Sequence, residues 1–200
     1  MPSAPLAPTP LVGRHVRLEP LAESHLDALC AVGLDPALWT WALARMESRD
    51  DMRRYVEAAL AERARGTAMP YVHVDLASGR VAGSTRFANY APEHRRVEIG
   101  WTWLAPAWQR TALNTEAKRL MFAHAFDVLG VGRVELKADA RNERSRAAMR
   151  RLGAVEEGTL RRHMTTASGY ARDTVYYSVL ADEWPAVRAH LDARLAAGSR

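Results

Sequence analysis

The stretch from Pro106 to Thr115 has the residue spacing of an anion-binding site. It follows a strand-like run that ends at Leu104, and it opens a helical pattern that continues to Leu129. The first amides of a helix have no partner inside the helix, and the helix dipole adds partial positive charge at the same end. We therefore predict an anion site at the amides of residues 110–115, with the Arg110 side chain as an ion-pair partner. The alternative is that these residues only cap a long helix.

Composition limits the class of protein. The chain has 200 residues, 48% of them hydrophobic and 26% charged, which predicts one folded domain with a sizeable core. Its one cysteine, Cys30, has no second thiol for a disulfide or a zinc cluster, so no metal site is expected. The first 13 residues carry four prolines and no apolar run of the signal-peptide type. We therefore expect a cytoplasmic location and no membrane contact.

The charged residues are distributed evenly. The formal net charge is +5, and only two of the 28 basic residues, Lys118 and Lys137, are lysines. Arginines alternate with acids along nearly every segment instead of gathering into a basic patch with interleaved aromatics. Direct nucleic-acid binding is therefore not expected, although the mild positive charge fits an anionic ligand.

The Pro/Ala-rich composition of residues 1–10 predicts a flexible tail, and hydrophobic periodicity predicts one domain over residues 11–200. Its elements follow the order β-α-α-β-β-β-α-β-α-β-β-α. The predicted strands cover His15–Leu21, Met69–Leu76, Arg80–Tyr90, Arg95–Leu104, Arg133–Lys137, Val155–Met164 and Asp173–Leu180. The predicted helices cover Ala22–Val32, the stretch from Ser48 to the stop at Gly66, Thr111–Leu129, Asn142–Gly153 and Glu183–Ala197.

Short motifs occur in a characteristic order on these elements. They are Glu98-Ile-Gly-Trp, Pro106–Thr115 with its extension to Lys118, Asn142-Glu-Arg-Ser145, Leu152-Gly-Ala154, Glu157-Gly158, Leu160–Met164, Arg172-Asp173 and Glu183-Trp184. With them the chain, from about Leu11 to its end, resembles the GNAT superfamily of acyl-CoA-dependent N-acetyltransferases. In detail it resembles the RimJ/RimL-like branch, named for acetylation of ribosomal-protein N-termini.

The resemblance implies an α/β (α+β) fold with a central mixed, mostly antiparallel sheet of about seven strands flanked by helices. It implies a V-shaped splay between the fourth and fifth strands, which holds the pantetheine arm of coenzyme A. The backbone amides of Thr102, Trp103 and Leu104 would then lie near the thioester carbonyl and stabilise its developing negative charge. For the aromatic side chains of Trp101 and Trp103 we expect a role in the core or the groove wall.

The same resemblance turns the predicted anion site into a coenzyme A diphosphate site. Its residues would be Gln109, Arg110, Thr111, Ala112, Leu113, Asn114 and Thr115. The family has glycine where this chain has Ala112. An alanine there either takes ordinary helical geometry or weakens the contact with the diphosphate.

Acetyl transfer to an amine needs a path for the amine proton and a donor for the leaving thiolate. Glu98 is the candidate base, and the alternative is a structural pair with Arg95, Arg96 or Arg133. Many relatives carry a tyrosine as general acid where this chain has Met149. Ser145, one turn away, either donates to the sulfur or is a small packing residue. Asn142 either caps its helix or binds the pantetheine amide.

The acceptor wall is expected to include Trp39, Trp41, Arg162, His163 and Tyr177. The two tryptophans suit a substrate lid or a homodimer contact, and His163 is more often structural than catalytic. The resemblance implies direct transfer from acetyl-CoA to a primary amine, such as a protein or peptide N-terminus. The alternatives are a small carboxylate-bearing amine as acceptor, or a non-catalytic acyl-CoA-binding or regulatory protein.

Overall fold

The computed structural model describes residues 4–198, which form eight strands and five α-helices. The strands are β1 Leu11–Val12, β2 Val16–Pro20, β3 Met69–Asp75, β4 Val81–Ala91, β5 Arg96–Leu104, β6 Arg133–Asp139, β7 Val155–Thr165 and β8 Ala171–Leu180. The helices are α1 Leu26–Gly33, α2 Arg49–Ala64, α3 Ala112–Ala123, α4 Glu143–Arg151 and α5 Trp184–Ala196. The predicted element order is confirmed, with the short β1 as an addition.

The strands form one sheet in the order β1-β2-β3-β4-β5-β6-β8-β7. Every neighbouring pair is antiparallel except β5 and β6, which are parallel. The predicted mixed, mostly antiparallel sheet is therefore confirmed, with eight strands where about seven were expected.

Local sequence signals set the helix starts. The Ser48 hydroxyl accepts from the Asp51 amide before α2, Thr111 caps α3 and Asn142 caps α4. The helix predicted up to Leu129 instead ends its α-helical part at Ala123 and continues as a π-helix over His124–Val128. This wider turn lies where Asp127 accepts from the indole of Trp184 on α5, at 3.0 Å.

The two faces of the sheet bury different helices. One hydrophobic cluster joins α3 and α5 to strand residues that include Val97 and Ile99, and the other joins α1 and α2 to Val72 and Trp103. Side chains alternate between the faces along a strand. Glu98 therefore lies on the α1/α2 face, between two residues that point toward α3.

β5 and β6 separate soon after they meet. Only residues 96–98 of β5 pair with residues 133–135 of β6, although β5 continues to Leu104 and β6 to Asp139. Beyond this contact, the edge of β5 that faces β6 has no strand partner within residues 4–198. The V-shaped splay is therefore present between the predicted fourth and fifth strands.

The expected tail falls partly outside the described residues, which begin at Ala4. The Ala4 amide donates to the Leu129 carbonyl at 3.0 Å, and Leu6 packs against the core. The division of the chain into tail and domain stays a prediction. Within residues 4–198, no helix is both long and apolar enough to cross a membrane.

Candidate active site

A bulge in β5 lies at the mouth of the splay. The register between β4 and β5 shifts between Ser84 and Arg86, and Trp101 has a φ of 50°, which is unusual for a residue with a side chain. The Trp101 ring lies 4.9 Å from the Arg86 guanidinium carbon, and Arg86 is bound to Glu62 at 2.8 Å. This buried arginine fixes the bulge next to the open edge of Thr102–Leu104. Trp103 packs in the α1/α2 cluster, as expected for its side chain.

Glu98 lies two residues before the bulge and is 4% exposed. Its Oε2 accepts from Lys137 Nζ at 2.6 Å and from Asn89 Nδ2 at 2.7 Å. Its Oε1 makes no hydrogen bond with a described residue and lies over Gly100, where an added Cβ would be 2.9 Å from this oxygen. The glycine therefore leaves room for the carboxylate on the side of the bulge.

None of the arginines considered as alternative partners binds Glu98 within the described residues. Arg96 binds Glu135 at 3.3 Å, Arg133 binds Glu135 and Glu157, and Arg95 donates to the Gly130 carbonyl. The partner is Lys137 on β6 instead. Because β5 and β6 are in contact at this position, a cross-strand lysine reaches the carboxylate that the arginines do not.

Lys137 also contacts an aromatic ring, with its Nζ 4.9 Å from the centre of the Tyr176 ring. Burial alone would lower the pKa of Lys137, but the adjacent Glu98 carboxylate holds it above its usual value. The lysine is therefore a permanent cation at neutral pH. A cavity of about 550 Å³ opens beside the pair, lined by Thr67, Asn89, Tyr90, Ala91, Arg96, Glu135, Lys137 and Tyr176.

The start of α3 supplies the expected helix N-terminus. Ala112 is its first residue and has no positive φ, whereas Arg110, two residues earlier, has a φ of 60°. The position that needs glycine-like geometry is therefore Arg110. The side chain of Gln109 donates from Nε2 to the Leu104 carbonyl at 2.8 Å and accepts at Oε1 from Arg144 of α4 at 3.0 Å, which joins the two sides of the splay. The Oδ1 of Asn114 is buried without a partner among the described residues.

Lys118, which was not among the predicted site residues, lies behind the bulge on the α3 face. Its Nζ donates to Thr102 Oγ1 at 2.5 Å and to Thr85 Oγ1 at 3.2 Å, and no carboxylate of residues 4–198 forms an ion pair with it. Desolvation lowers its pKa to about 7. Nearby His73 is fully buried, and desolvation together with Lys118 lowers its pKa to about 3. The sequence did contain a signal for this residue, because Lys118 is one of only two lysines in an arginine-rich chain and falls within the predicted α3 helix.

α4 borders the splay on the other side. Asn142 Oδ1 accepts from the Ser145 amide at 3.1 Å, so it caps the helix in this structure. The Ser145 hydroxyl is half-buried and makes no hydrogen bond in the described part of the chain. Met149, at the place of the family's tyrosine, is 8% exposed.

The five residues expected to form the acceptor wall do not all lie on one side of the sheet. Trp41 stacks with the Arg141 guanidinium at 5.0 Å, and His163 lies 5.6 Å from the Tyr176 ring. The Arg162 amide donates to Asp173 at 2.7 Å.

Trp39 is 6% exposed, packs on Tyr55 and Trp103 and donates to the Gly33 carbonyl at 2.7 Å, so it is a core residue. Tyr177 is fully buried on the opposite face of the sheet, where its hydroxyl donates to Glu156 at 2.6 Å. Because side chains alternate between the two faces along a strand, the neighbouring Tyr176 lies on the Lys137 side of the sheet instead.

Comparison with known proteins finds acetyltransferases. The acetyltransferase (GNAT) domain family matches residues 15–155. The chain is 36% identical over 109 residues to the "Putative ribosomal N-acetyltransferase YdaF" of Bacillus subtilis (strain 168), which covers 54% of this chain and 58% of that protein. The chain thus spans somewhat more than half the length of this relative.

Solved structures agree on the fold. A GCN5-related N-acetyltransferase from Brucella melitensis has a TM-score of 0.91 at 32% identity, with 100% of this chain and 93% of that chain covered. Mycobacterium smegmatis RimJ in complex with CoA-disulfide has a TM-score of 0.78 at 23% identity, with 92% and 90% covered.

Proposed function

The chain belongs to the GNAT acetyltransferase family, in its RimJ/RimL-like branch, and is an N-acetyltransferase. From this premise we propose that it moves an acetyl group from acetyl-CoA directly to the primary amine of a protein or peptide N-terminus. The observation that carries the proposal is the buried Glu98 carboxylate, whose Oε1 faces the bulge beside the open edge of β5. We expect the reaction to occur in the cytoplasm.

Three features of the splay support acetyl-CoA as the donor. The edge of β5 at Thr102–Leu104 has no strand partner among the described residues and can receive an extended amide-containing arm, and the N-terminal turn of α3 offers amides to a diphosphate. The buried Oδ1 of Asn114 has no partner among the described residues and would accept a hydrogen bond from a ligand, and after an amide flip Nδ2 would stand in its place and donate one. The distant relative RimJ is named as a complex with CoA-disulfide.

Acetyl-CoA supplies the acetyl group as an activated thioester. Glu98 accepts the proton that the attacking amine must lose, directly or through one water, and Lys137 and Asn89 hold the other carboxylate oxygen in place. The amides of Thr102–Leu104 stabilise the negative charge on the carbonyl oxygen. Ser145, whose hydroxyl is uncommitted among the described residues, donates to the departing thiolate, with water as a second source.

The non-catalytic alternative is less consistent with these contacts. A protein that only binds acyl-CoA has no use for a buried carboxylate with one oxygen turned toward the bulge, or for a glycine that leaves it room. Lys137 and Asn89 bind only Oε2 of this carboxylate, so Oε1 stays available for a substrate proton, which supports turnover.

Calorimetry with coenzyme A and a thiol-release assay test the proposal. We expect coenzyme A to bind with a dissociation constant below millimolar. We expect thiol release from acetyl-CoA to be faster with peptides that have a free N-terminus than with spermine. An exposed-site variant, Glu57→Gln, serves as the control and should match the wild type. No binding at millimolar coenzyme A would refute acetyl-CoA as the donor, and binding without turnover across peptides, amino acids and polyamines would favour the non-catalytic alternative.

A further inference from the structure

β8 presents two buried polar side chains that have no hydrogen-bond partner within residues 4–198. Arg172 is 8% exposed and its Nε is buried and unpaired, and the Oγ1 of the fully buried Thr174 is in the same condition. Residues two apart on a strand lie on the same face. Two neighbouring unsatisfied groups destabilise the ligand-free protein, and a polar ligand that forms hydrogen bonds with both would offset that cost.

These groups lie on the face that carries Glu98. Tyr176, the next residue of this face along β8, contacts Lys137, which binds Glu98. Thr174 pairs in register with Asp139 of β6. Burial lowers the pKa of Arg172, and the negative charges of Asp139 and Glu98 act in the opposite direction. A guanidinium remains protonated at neutral pH in this setting.

The nearby acids are already neutralised by other cations. Asp139 accepts from the Arg141 amide and from two nitrogens of its guanidinium at 2.9–3.0 Å. Glu98 is held by Lys137. Arg172 forms an ion pair with neither of them, nor with another acid in the described part of the chain. Arg172 is therefore a buried cation whose charge no ion pair within residues 4–198 compensates.

The loop before β8, which lies close to this charge in the chain, is joined to the loop after α1. The Ala167 amide, in the turn before β8, donates to the Leu43 carbonyl at 3.0 Å. The Arg141 guanidinium lies 3.6 Å from the Tyr170 ring and 5.0 Å from the Trp41 ring, which joins the same two loops. The loop that precedes β8 is therefore anchored close to Arg172 in the chain.

We propose that Arg172, assisted by the Thr174 hydroxyl, binds a carboxylate of the acceptor, so that the acceptor is an amine that carries a carboxylate. This inference rests on the proposed function, because it names the substrate class of the same site. A guanidinium matches a carboxylate with two parallel hydrogen bonds. The carboxylate has two sources: the α-carboxylate of a small amino acid, or an acidic side chain near the N-terminus of a peptide.

The thiol-release assay with matched acceptor pairs tests the proposal. One arm compares free amino acids with their amides, and the other compares peptides that differ only by Asp or Asn at the second position. We expect kcat/KM to be about 10- to 100-fold higher for the carboxylate member of at least one pair. The arm that shows the preference identifies the source.

Variants of Arg172 separate recognition from structure. Arg172→Gln should bring the ratio within a pair close to 1, mainly through KM, with coenzyme A affinity unchanged, and Arg172→Lys should restore part of the preference. The Gln variant should unfold at the same or a higher temperature, since an unpaired buried charge has been removed. An equal loss for both members of each pair, or no preference in the wild type, would overturn the proposal.

A measurement without turnover keeps this inference separate from the proposed function. N-acetyl amino acids retain the carboxylate, so they should raise the unfolding temperature of the wild type more than their amides do, and Arg172→Gln should abolish the difference. Equal shifts for acid and amide would refute carboxylate binding even if no acceptor is acetylated. Absence of thiol release with every acceptor would refute only the proposed transfer.

Discussion

The two lysines of the chain lie on opposite faces of the sheet and differ in how their charge is balanced. Lys137 faces the groove, and the adjacent Glu98 carboxylate holds its pKa above the usual value. Lys118 lies behind the bulge on the α3 face, where it binds only two threonine hydroxyls and burial lowers its pKa to about 7. The groove therefore contains fixed charges, whereas the α3 face contains a lysine that loses its charge near neutral pH.

This difference separates two kinds of site chemistry. Charges that stay fixed hold a carboxylate and a ligand in place on the groove face. On the α3 face, the lysine and Thr102 hold the bulged strand whose amides are the proposed oxyanion donors. The same short segment of β5 is thus supported from one side by Glu98 and Arg86 and from the other by Lys118.

The largest effect is expected from breaking the groove pair. Glu98→Gln removes the proposed base with little change of shape, so kcat should fall about 100-fold or more while coenzyme A affinity stays the same. The acid limb of the pH profile should flatten. Steady-state kinetics and calorimetry check this, with Glu57→Gln as the exposed control. An unchanged pH profile would remove Glu98 from the mechanism.

The second prediction concerns stability on the α3 face. Between pH 7 and 10.5 the unfolded chain protonates Lys118 and the folded protein does not, so the free energy of unfolding should rise with pH in this window. Lys118→Met should abolish that rise, which is on the order of a few kcal/mol. Denaturant unfolding at several pH values measures it.

Lys137→Met provides the matched control, because the pKa of Lys137 is shifted in the opposite direction to that of Lys118. The pKa of Lys137 is raised in the folded protein, so its contribution is fully present below its unfolded value of 10.5 and is lost as the pH rises through the folded value. A wild-type curve that runs parallel to that of Lys118→Met between pH 7 and 10.5 would show that Lys118 is not desolvated.

The sequence predicts the fold well because its signals are local. Ser48, Thr111 and Asn142 each cap the helix that their spacing indicates, and alternation marks the strands. The Glu98-Ile-Gly-Trp motif also indicates that Glu98 lies close to the candidate site on β5. Which residues are catalytic stays a prediction.

Contacts that depend on strand pairing were not predictable in the same way. Lys137 reaches Glu98 only because β6 lies parallel to β5 over three residues, whereas the sequence offers three nearer arginines. The face on which Tyr177 lies depends on the register of β8, and a shift by one residue reverses it. Trp39 is buried by α2, which follows it in the chain.

A smaller effect is expected from Ser145→Ala. Water can replace the hydroxyl as a proton donor in an open splay, so kcat should fall by roughly fivefold or less, the value of one ordinary hydrogen bond. Steady-state kinetics measure the change, and Ser24→Ala, on an exposed turn, is the control. Turnover equal to the wild type would make Ser145 a packing residue.

The smallest effect is expected at the start of α3, where two variants should change the free energy of unfolding in opposite directions. Ala112 has helical geometry, so Ala112→Gly should leave coenzyme A affinity within about twofold and lower the free energy of unfolding by up to about 1 kcal/mol. Arg110 has a φ of 60°, so Arg110→Gly should relieve backbone strain and raise the unfolding free energy by up to about 1 kcal/mol, while weakening coenzyme A binding through loss of the guanidinium. Calorimetry and denaturant unfolding measure both. Tighter coenzyme A binding by Ala112→Gly would mean that the alanine, and not Arg110, limits the approach of the diphosphate.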